Sequence, residues 1–149
     1  MKIAIGADHG GFTLKEIIIP HLIEKGHEVI DLGTNNEDSV DYPEFGEKVA
    51  LAVKNGEVER GIVICGTGLG ISISANKVPG IRAALVSETF SARMSIEHNN
   101  ANILALGARV TGPDLALEIV DVWTNAKFLG DRHERRVSKI IDIEKRYNK

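Results

Sequence analysis

GIVICGTGLG, residues Gly61–Gly70, joins a short apolar run to a loop with glycine at three alternate positions. A helical pattern, Ile71–Lys77, follows directly. A β-rich run that ends in a tight glycine turn before a helix is typical of parallel sheets covered by helices. The segment therefore predicts a buried strand whose carboxyl end carries a loop suited to binding.

Four further β-rich runs lie on either side of this segment, and helical patterns separate them. They are Lys2–Ala7, Glu28–Leu32, Arg82–Val86 and Ile103–Leu106. Five apolar strands that alternate with helices predict an α/β fold, a three-layer αβα sandwich around a Rossmann-like five-stranded parallel sheet. We expect residues 1–149 to form a single domain, because the chain has no repeat, low-complexity segment or linker.

Several helix boundaries can also be predicted. Thr13 and Glu16 have capping-box spacing before an apolar run that ends at Gly26, and Pro20 within this run is expected to kink the helix or delay its start. First-turn prolines predict two further helices, near Glu44–Lys54 and Asp114–Lys127. A last helix, about Asp131–Tyr147, has one apolar stripe, which we expect to pack on a partner subunit.

The composition excludes several functional classes. The chain is 43% hydrophobic and 26% charged, with 18 basic against 21 acidic side chains and a formal charge of -3. This balance gives no general attraction to nucleic acid or anionic lipid. The longest uncharged stretch, Gly61–Asn76, is too short and too rich in glycine for a membrane helix. Cys65 is the only cysteine, which rules out an intrachain disulfide and favours the cytoplasm.

The glycine loop has more than one interpretation. Its backbone can present several N–H groups to one point, so it could hold a phosphate, or an oxyanion formed only during reaction, or simply make a tight turn. Glu88 lies at about the distance at which a dinucleotide-binding loop places its ribose-binding carboxylate. However, Ile71 occupies the position of that loop's third glycine, and the loop follows the third strand rather than the first.

Cys65, immediately before the loop, is the first candidate for chemistry. Nearby N–H groups favour a thiolate, which could act as a base or nucleophile, although a buried free cysteine is often only a small hydrophobe. Asp8 and His9 end the first strand and precede two glycines, which would allow a ligand to approach closely. The five histidines have no metal-ligand spacing and one thiol cannot form a thiolate-rich zinc site, so no metal is expected.

Other candidates come from the second half of the chain. The triplet His98–Asn100 precedes the fifth strand, and we expect it at the active edge of the sheet unless it merely caps a helix. Arg109 follows the fifth strand, and Arg132 and Arg136 share one face of the last helix. Arginine forks suit a phosphate, but the same residues could form an ordinary solvated face.

The chain resembles the type B ribose-5-phosphate isomerases, whose family also includes allose-6-phosphate and galactose-6-phosphate isomerases. The resemblance covers essentially the whole chain, through the arginine-rich last helix and the segments IAIGADHGGFTLKE, DYPEF, GIVICGTGLGISISANKVPGIRAAL and HNNANILALGAR. It implies an enzyme of the pentose phosphate pathway that interconverts D-ribose 5-phosphate and D-ribulose 5-phosphate through a cis-enediolate, without metal or other cofactor. It also implies a homodimer, or a dimer of dimers, with sites built between subunits.

The resemblance implies a role for each candidate residue. Cys65 would be the base, and the enediolate oxygens would be stabilised by Gly66, Thr67, Gly68, Leu69 and Gly70. The furanose ring would be opened by His98 and Asp8. The phosphate would be held by His9, Arg109, Arg132 and Arg136, and the sugar would be contacted by Asn99 and Tyr42. One branch of the family has a glutamate base at the position of Ile71, so this chain is expected to belong to the cysteine branch.

Two alternatives stay open at this point. A hexose phosphate such as allose 6-phosphate, or a rare aldose, could be the preferred substrate, since one more carbon changes pocket length and not chemistry. A non-catalytic nucleotide-binding module would use the loop for phosphate alone and would make Cys65 dispensable. The lack of a lysine directly after the glycines counts against this second alternative.

Overall fold

Five strands form one sheet in the computed structural model, which describes residues 1–148. They are β1 (Lys2–Ala7), β2 (Glu28–Asp31), β3 (Arg60–Cys65), β4 (Ala83–Leu85) and β5 (Ile103–Gly107). Their order is β2-β1-β3-β5-β4, and every neighbouring pair is parallel. The predicted parallel sheet is confirmed, and each strand end lies within one residue of its expected position.

Helices cover both faces of the sheet. They are α1 (Phe12–Glu24), α2 (Tyr42–Lys54), α3 (Leu69–Ala75), α4 (Thr89–Glu97), α5 (Pro113–Asn125) and α6 (Arg132–Tyr147). On one face α1, α4 and α5 share a buried core with the strands, through residues such as Ile18, Ile96 and Ile119. On the other face α2 and α3 contribute Val49 and Ile71 to a second core. The three-layer αβα arrangement is therefore confirmed.

Alternation along β3 sets the direction of its last side chain. Ile62 and Ile64 belong to the core of α1, α4 and α5, whereas Val63 and Cys65 belong to the opposite core. Successive side chains of a strand point to opposite faces of its sheet. Cys65 therefore faces the layer that contains α2 and α3.

The first helix differs from its prediction. α1 begins at Phe12 with Gly11 in the N-cap position, so Thr13 lies inside the helix and makes no cap. The capping-box prediction is wrong because the Asp8 carboxylate accepts the N–H of Gly11 at 3.1 Å, which turns the chain into the helix earlier. Pro20 lies within α1 and does not delay its start.

The end of α5 also differs from its prediction. The helix starts at Pro113 as expected, but it ends at Asn125 rather than near Lys127. The Arg60 guanidinium donates to the carbonyl of Trp123 at 2.7 Å and to that of Ala126 at 3.2 Å. A side chain from β3 thus satisfies carbonyl groups at the helix end, which the local sequence does not reveal.

The last helix leaves much of its apolar stripe uncovered. In α6, His133 and Val137 are buried, whereas Ile140, Ile143 and Tyr147 are exposed. The predicted stripe is present, and its packing against a partner subunit stays a prediction. Within residues 1–148, none of the helices has the combination of length and apolarity needed to cross a membrane.

Parallel strands divide the connecting loops between two edges of the sheet. A helix that joins two such strands begins at the carboxyl edge and ends at the amino edge. α4 ends at Glu97, so the triplet His98–Asn100 lies at the amino edge, just before β5. The expectation that this triplet shares the active edge within one chain is wrong, because residues that precede a strand enter it from its amino end.

Candidate active site

A pocket of about 280 Å³ opens at the carboxyl edge of the sheet. The ends of β1, β3 and β5 and the start of α2 supply its lining, which consists of Asp8, Tyr42, Cys65, Gly66, Thr67, Gly70 and Arg109. Each of these residues is a candidate from the sequence. They meet because the carboxyl ends of neighbouring parallel strands converge on one edge.

The sulfur of Cys65 accepts a backbone hydrogen bond at the floor of this pocket. The N–H of Gly68 donates to Cys65 Sγ at 3.1 Å, and Cys65 is only 5% exposed. Gly68 has a φ of +79°, which favours glycine, and a Cβ at this position would collide with the side chain of Leu85. The turn thus directs an N–H dipole at the sulfur, where it stabilises negative charge.

Backbone contacts hold the loops after β3 and β5 together. The N–H of Ala108 donates to the carbonyl of Cys65, and the N–H of Arg109 donates to that of Gly66, both at 2.9 Å. A Cβ on Gly66 would lie 3.1 Å from Arg109 Nη1. Because Gly66 has no side chain, the guanidinium can lie directly against the loop beside the thiol.

The loop after β1 packs equally closely against the loop after β3. Asp8 is 7% exposed, and its carboxylate accepts the N–H of Gly11. A Cβ on Gly10 would lie 3.2 Å from the nitrogen of Gly66, and a Cβ on Gly11 would lie 2.5 Å from the carbonyl oxygen of Ile64. The glycine pair therefore permits the approach that brings Asp8 to the thiol pocket.

One side of the site is formed by α2 and the segment that precedes it. Tyr42 begins this helix, and His9 contacts the preceding segment at Val40. A Cβ on Gly70 would collide with the ring of Tyr42, so the ring rests on the bare backbone of the loop. His9 does not line the pocket, and its Nδ1 accepts the N–H of Val40 at 3.2 Å. This contact assigns the proton of a neutral His9 ring to Nε2.

Leu69 and Gly68 also lie outside the pocket lining. Leu69 is 55% exposed and lines a neighbouring cavity of about 390 Å³ with Leu85 and Val110. The side chain of Thr67 accepts the N–H of Leu69 at 3.2 Å, and Thr67 lines both cavities. The threonine thus stabilises the turn between them.

A second cluster of candidate residues surrounds the first turn of α6. The rings of His98 and His133 stack with their centroids 4.1 Å apart. Burial lowers the pKa of His133, and the charges of His98, Arg132 and Arg136 lower it further. Both arginines are exposed, and neither forms an ion pair within residues 1–148.

Asn99 lies beside this second cluster. Its carbonyl accepts from Arg82 Nε at 3.1 Å, and Asn100 has a left-handed φ of 48°. The structure therefore separates the candidates into two sets. The first set lies at the carboxyl edge, where the residues lining the pocket are joined by His9, Gly68 and Leu69 from the same loops. The second set consists of His98, Asn99, Arg132 and Arg136, none of which lines the pocket.

One buried charged residue, Lys15, was not predicted from the sequence. Lys15 belongs to α1, and its fully buried side chain pairs with Asp31 at the end of β2. Lys15 adjoins Leu14 and shares the buried side of α1 with Ile18. A lysine on an apolar helix face was the available indication of a buried ion pair.

In the dinucleotide-binding alternative Glu88 would bind a ribose, but in this structure its carboxylate caps a helix. Glu88 is the N-cap of α4, and both its carboxylate oxygens accept the N–H of Ser91, at 2.9 and 3.0 Å. These hydrogen bonds lower the pKa of Glu88. Among the residues that the structure describes, no group of three or more His, Cys, Asp or Glu side chains is arranged to hold a metal ion.

The parallel sheet and the thiol pocket define an α/β protein with a candidate active site at the carboxyl edge. Residues 3–140 match the family model described as Ribose/Galactose Isomerase, and the chain belongs to this family.

Several relatives cover nearly the whole chain. Ribose-5-phosphate isomerase B of Escherichia coli (strain K12) is 55% identical over 147 residues, 99% of each protein. D-Erythrulose-4-phosphate isomerase of Pectobacterium atrosepticum is 45% identical over 142 residues, 94% of this chain and 93% of that one. The solved structure of ribose-5-phosphate isomerase B from Clostridium thermocellum has a TM-score of 0.97 and 66% identity, with 99% of both chains covered.

Proposed function

We propose that this chain is an aldose-ketose isomerase that interconverts D-ribose 5-phosphate and D-ribulose 5-phosphate through a cis-enediolate. One observation carries the proposal: the Cys65 sulfur, which accepts the Gly68 N–H at 3.1 Å, shares a pocket with Asp8 and Arg109. Proton transfer beside the carbonyl of a sugar phosphate needs a base, donors for the developing oxyanion and a cation for the phosphate. The names of the relatives support the same reaction.

The Cys65 thiolate is the base in this proposal. It removes the proton from C2 of the open-chain aldose, and the electron pair forms the C1–C2 double bond while O1 becomes the oxyanion. A proton then passes from O2 to O1, and the thiol returns its proton to C1, which yields the ketose. We assign the N–H groups of Gly66, Thr67 and Gly70 to the enediolate oxygens, because a donor aimed at developing charge stabilises the transition state.

The remaining roles concern ring opening and binding. Asp8 lies in the pocket and acts with a histidine, His98, as the acid and base that open the furanose ring. Arg109 and His9 bind the phosphate from the carboxyl edge, where Arg109 also lines the pocket. Tyr42 contacts the sugar from the start of α2.

We further propose that a second copy of the chain completes each site. His98, Asn99, Arg132 and Arg136 do not line the pocket of their own chain, so a homodimer would bring them from the partner. The exposed side chains of Ile140, Ile143 and Tyr147 supply apolar surface that such an assembly would cover. A dimer of dimers would contain this contact within each dimer and would need a second contact to join the two dimers.

The cellular setting is part of the proposal. A free thiol that serves as a base needs a reducing compartment, which supports a cytoplasmic location. We infer that residues 1–149 act as one domain, because three loops of the same sheet line the pocket.

The direct test is an assay for ribulose 5-phosphate made from ribose 5-phosphate, in EDTA and without nucleotide, on wild type, Cys65→Ala and Cys65→Ser. A positioned base contributes about 10²–10⁴-fold, so both variants should lose turnover by about that factor. Inorganic phosphate should still protect all three proteins against thermal unfolding, which controls for an intact binding site. Turnover by Cys65→Ala within tenfold of wild type would place the base elsewhere.

A different sugar phosphate is the second candidate. The relative named D-erythrulose-4-phosphate isomerase favours it, because that name gives a sugar phosphate of four carbons rather than five. Comparison of kcat/KM for tetrose, pentose and hexose phosphates decides the preference. If wild type turned over allose 6-phosphate but not ribose 5-phosphate, the hexose phosphate would be the substrate.

A further inference from the structure

The side chain of Lys15 is fully buried, although lysine is almost never buried without a partner. Its Nζ donates to both carboxylate oxygens of Asp31, at 2.9 and 2.8 Å, and to Glu16 Oε1 at 3.0 Å. Asp31 is the last residue of β2, and α1 starts from the same edge of the sheet. The ion pair therefore joins the beginning of α1 to the end of an edge strand.

On the helix side, the contacts lead from Lys15 to the pocket. The backbone N–H of Lys15 donates to the carbonyl of Gly11 at 2.9 Å. The N–H of Gly11 in turn donates to Asp8 Oδ1 at 3.1 Å. The position of α1 thus sets the position of the donor that orients the Asp8 carboxylate.

On the strand side, a second series of contacts reaches the same residue. Asp31 Oδ1 accepts the N–H of Gly33 at 2.9 Å. The carbonyl of Gly33 then accepts the N–H of Ala7 at 2.6 Å. Ala7 immediately precedes Asp8, so the two series form a closed ring, and the Lys15–Asp31 ion pair is its one contact between opposite charges.

We propose that Lys15 and Asp31 are positioning residues that hold the Asp8 carboxylate in place for ring opening. Neither residue lines the pocket, so they act through Asp8 and not on the substrate. The inference rests on the proposed function, in which Asp8 helps to open the furanose ring. A displacement of a reacting group by about 1 Å can cost about 10²-fold in rate.

A substrate without a ring separates positioning from stability. In D-erythrose 4-phosphate the O4 atom is esterified and no furanose can form, so the isomerase needs no ring opening. A displaced Asp8 slows turnover of ribose 5-phosphate alone, whereas a smaller folded fraction lowers turnover of both substrates equally. The readout is the ratio of the two kcat/KM values, ribose 5-phosphate over erythrose 4-phosphate.

The test variant is Lys15→Met with Asp31→Asn, which removes both charges and leaves neither partner as an unpaired buried ion. We expect the ratio to fall about tenfold or more, as it should in Asp8→Asn. The matched control is His21→Leu with Asp121→Asn, which removes the 2.7 Å contact between α1 and α5 at the other end of the same helix. This control should lower thermal stability and keep the wild-type ratio.

Two results would overturn the inference and can be told apart. If Asp8→Asn lowers the ratio and the Lys15–Asp31 double variant does not, the ion pair has no positioning role. If Asp8→Asn itself keeps the wild-type ratio, the ring-opening role of Asp8 is wrong and the inference falls with it. If wild type does not turn over the tetrose phosphate, the pH profile of kcat/KM on ribose 5-phosphate decides: the double variant must reproduce the change made by Asp8→Asn.

Discussion

The imidazole rings of His98 and His133 lie almost parallel, with centroids 4.1 Å apart and 10° between their planes. His98 is the C-cap residue directly after α4, and His133 lies in the first turn of α6, so the stack joins the two helices. Leu129 lies in the loop between α5 and α6, and its N–H donates to the carbonyl of Glu97 at 3.1 Å. This hydrogen bond holds the loop against the end of α4. Two imidazoles this close cannot both gain a proton without mutual repulsion.

This arrangement predicts a loss of stability on the acid side. Burial, followed by the charges of His98, Arg132 and Arg136, lowers the pKa of His133, while Asp131 raises it to a smaller extent. The unfolded chain then takes up a proton near the ordinary histidine pKa of about 6.5, before the folded chain does. The contribution of neutral His133 to the free energy of unfolding is therefore complete above about pH 6.5. That contribution decreases as the pH falls below this value.

The measurement is urea unfolding from pH 8 to pH 5 at one protein concentration, on wild type and His133→Phe. Phenylalanine retains a stacked ring and cannot be charged, so the variant should lose less stability toward pH 5. The pKa of His27, which is not part of the stack, is also lowered, by burial and then by the N-terminal ammonium group. The acid sensitivity of His27→Gln is therefore measured alongside that of His133→Phe. Equal acid sensitivity of wild type and His133→Phe would contradict the assigned cause.

Mixed dimers should regain activity that neither parent has. If one chain supplies Cys65 and its partner supplies His98, a dimer of one Cys65→Ala chain and one His98→Asn chain has one intact site and one doubly defective site. Random reassembly of equal amounts makes half of the dimers mixed, so about one quarter of wild-type activity should return.

The assay follows activity after the two inactive proteins are unfolded together and refolded, with each refolded alone as the control. Sedimentation analysis of the same samples reports whether dimers form. Inactive mixtures of well-formed dimers would show that both residues act within one chain, contrary to their separation in this structure.

Arg136→Ala should raise KM with little change in kcat. A contact to the phosphate, which does not react, is made equally in the ground state and the transition state. Arg135→Ala is the matched control, because Arg135 is an exposed neighbour on α6 with no assigned role. Steady-state kinetics on ribose 5-phosphate distinguishes the two variants, and a lower kcat at unchanged KM in Arg136→Ala would refute its role in phosphate binding.

Gly70→Ala should disturb substrate binding through Tyr42. The added methyl group would collide with the ring of Tyr42, which must then leave its place against the loop. We expect a severalfold rise in KM, comparable to that of Tyr42→Ala. Gly112→Ala is the control, since a Cβ there has no heavy atom within 4 Å. Kinetics and thermal unfolding of the three variants test the prediction, which fails if Gly70→Ala binds substrate like wild type.

Much of the pocket could be predicted because its parts are local in sequence. An apolar run such as Ile62–Ile64 must be buried, and the glycines after Cys65 must form a turn. Parallel strands then bring Asp8, Cys65 and Arg109 to one edge without further information. The wrong prediction for the end of α5 arose because Arg60, a residue distant in sequence, binds the carbonyl groups at that end.

The sequence by itself determined the parallel sheet, its strands and the glycine loop beside Cys65, because hydrophobic periodicity and backbone freedom are local properties. Only the tertiary structure decided which candidates share a site. A helix between parallel strands must end at the opposite edge of the sheet, which places His98 away from the thiol of its own chain. Likewise, Lys15 meets Asp31 only when α1 packs on the sheet, since that contact depends on burial and not on neighbouring residues.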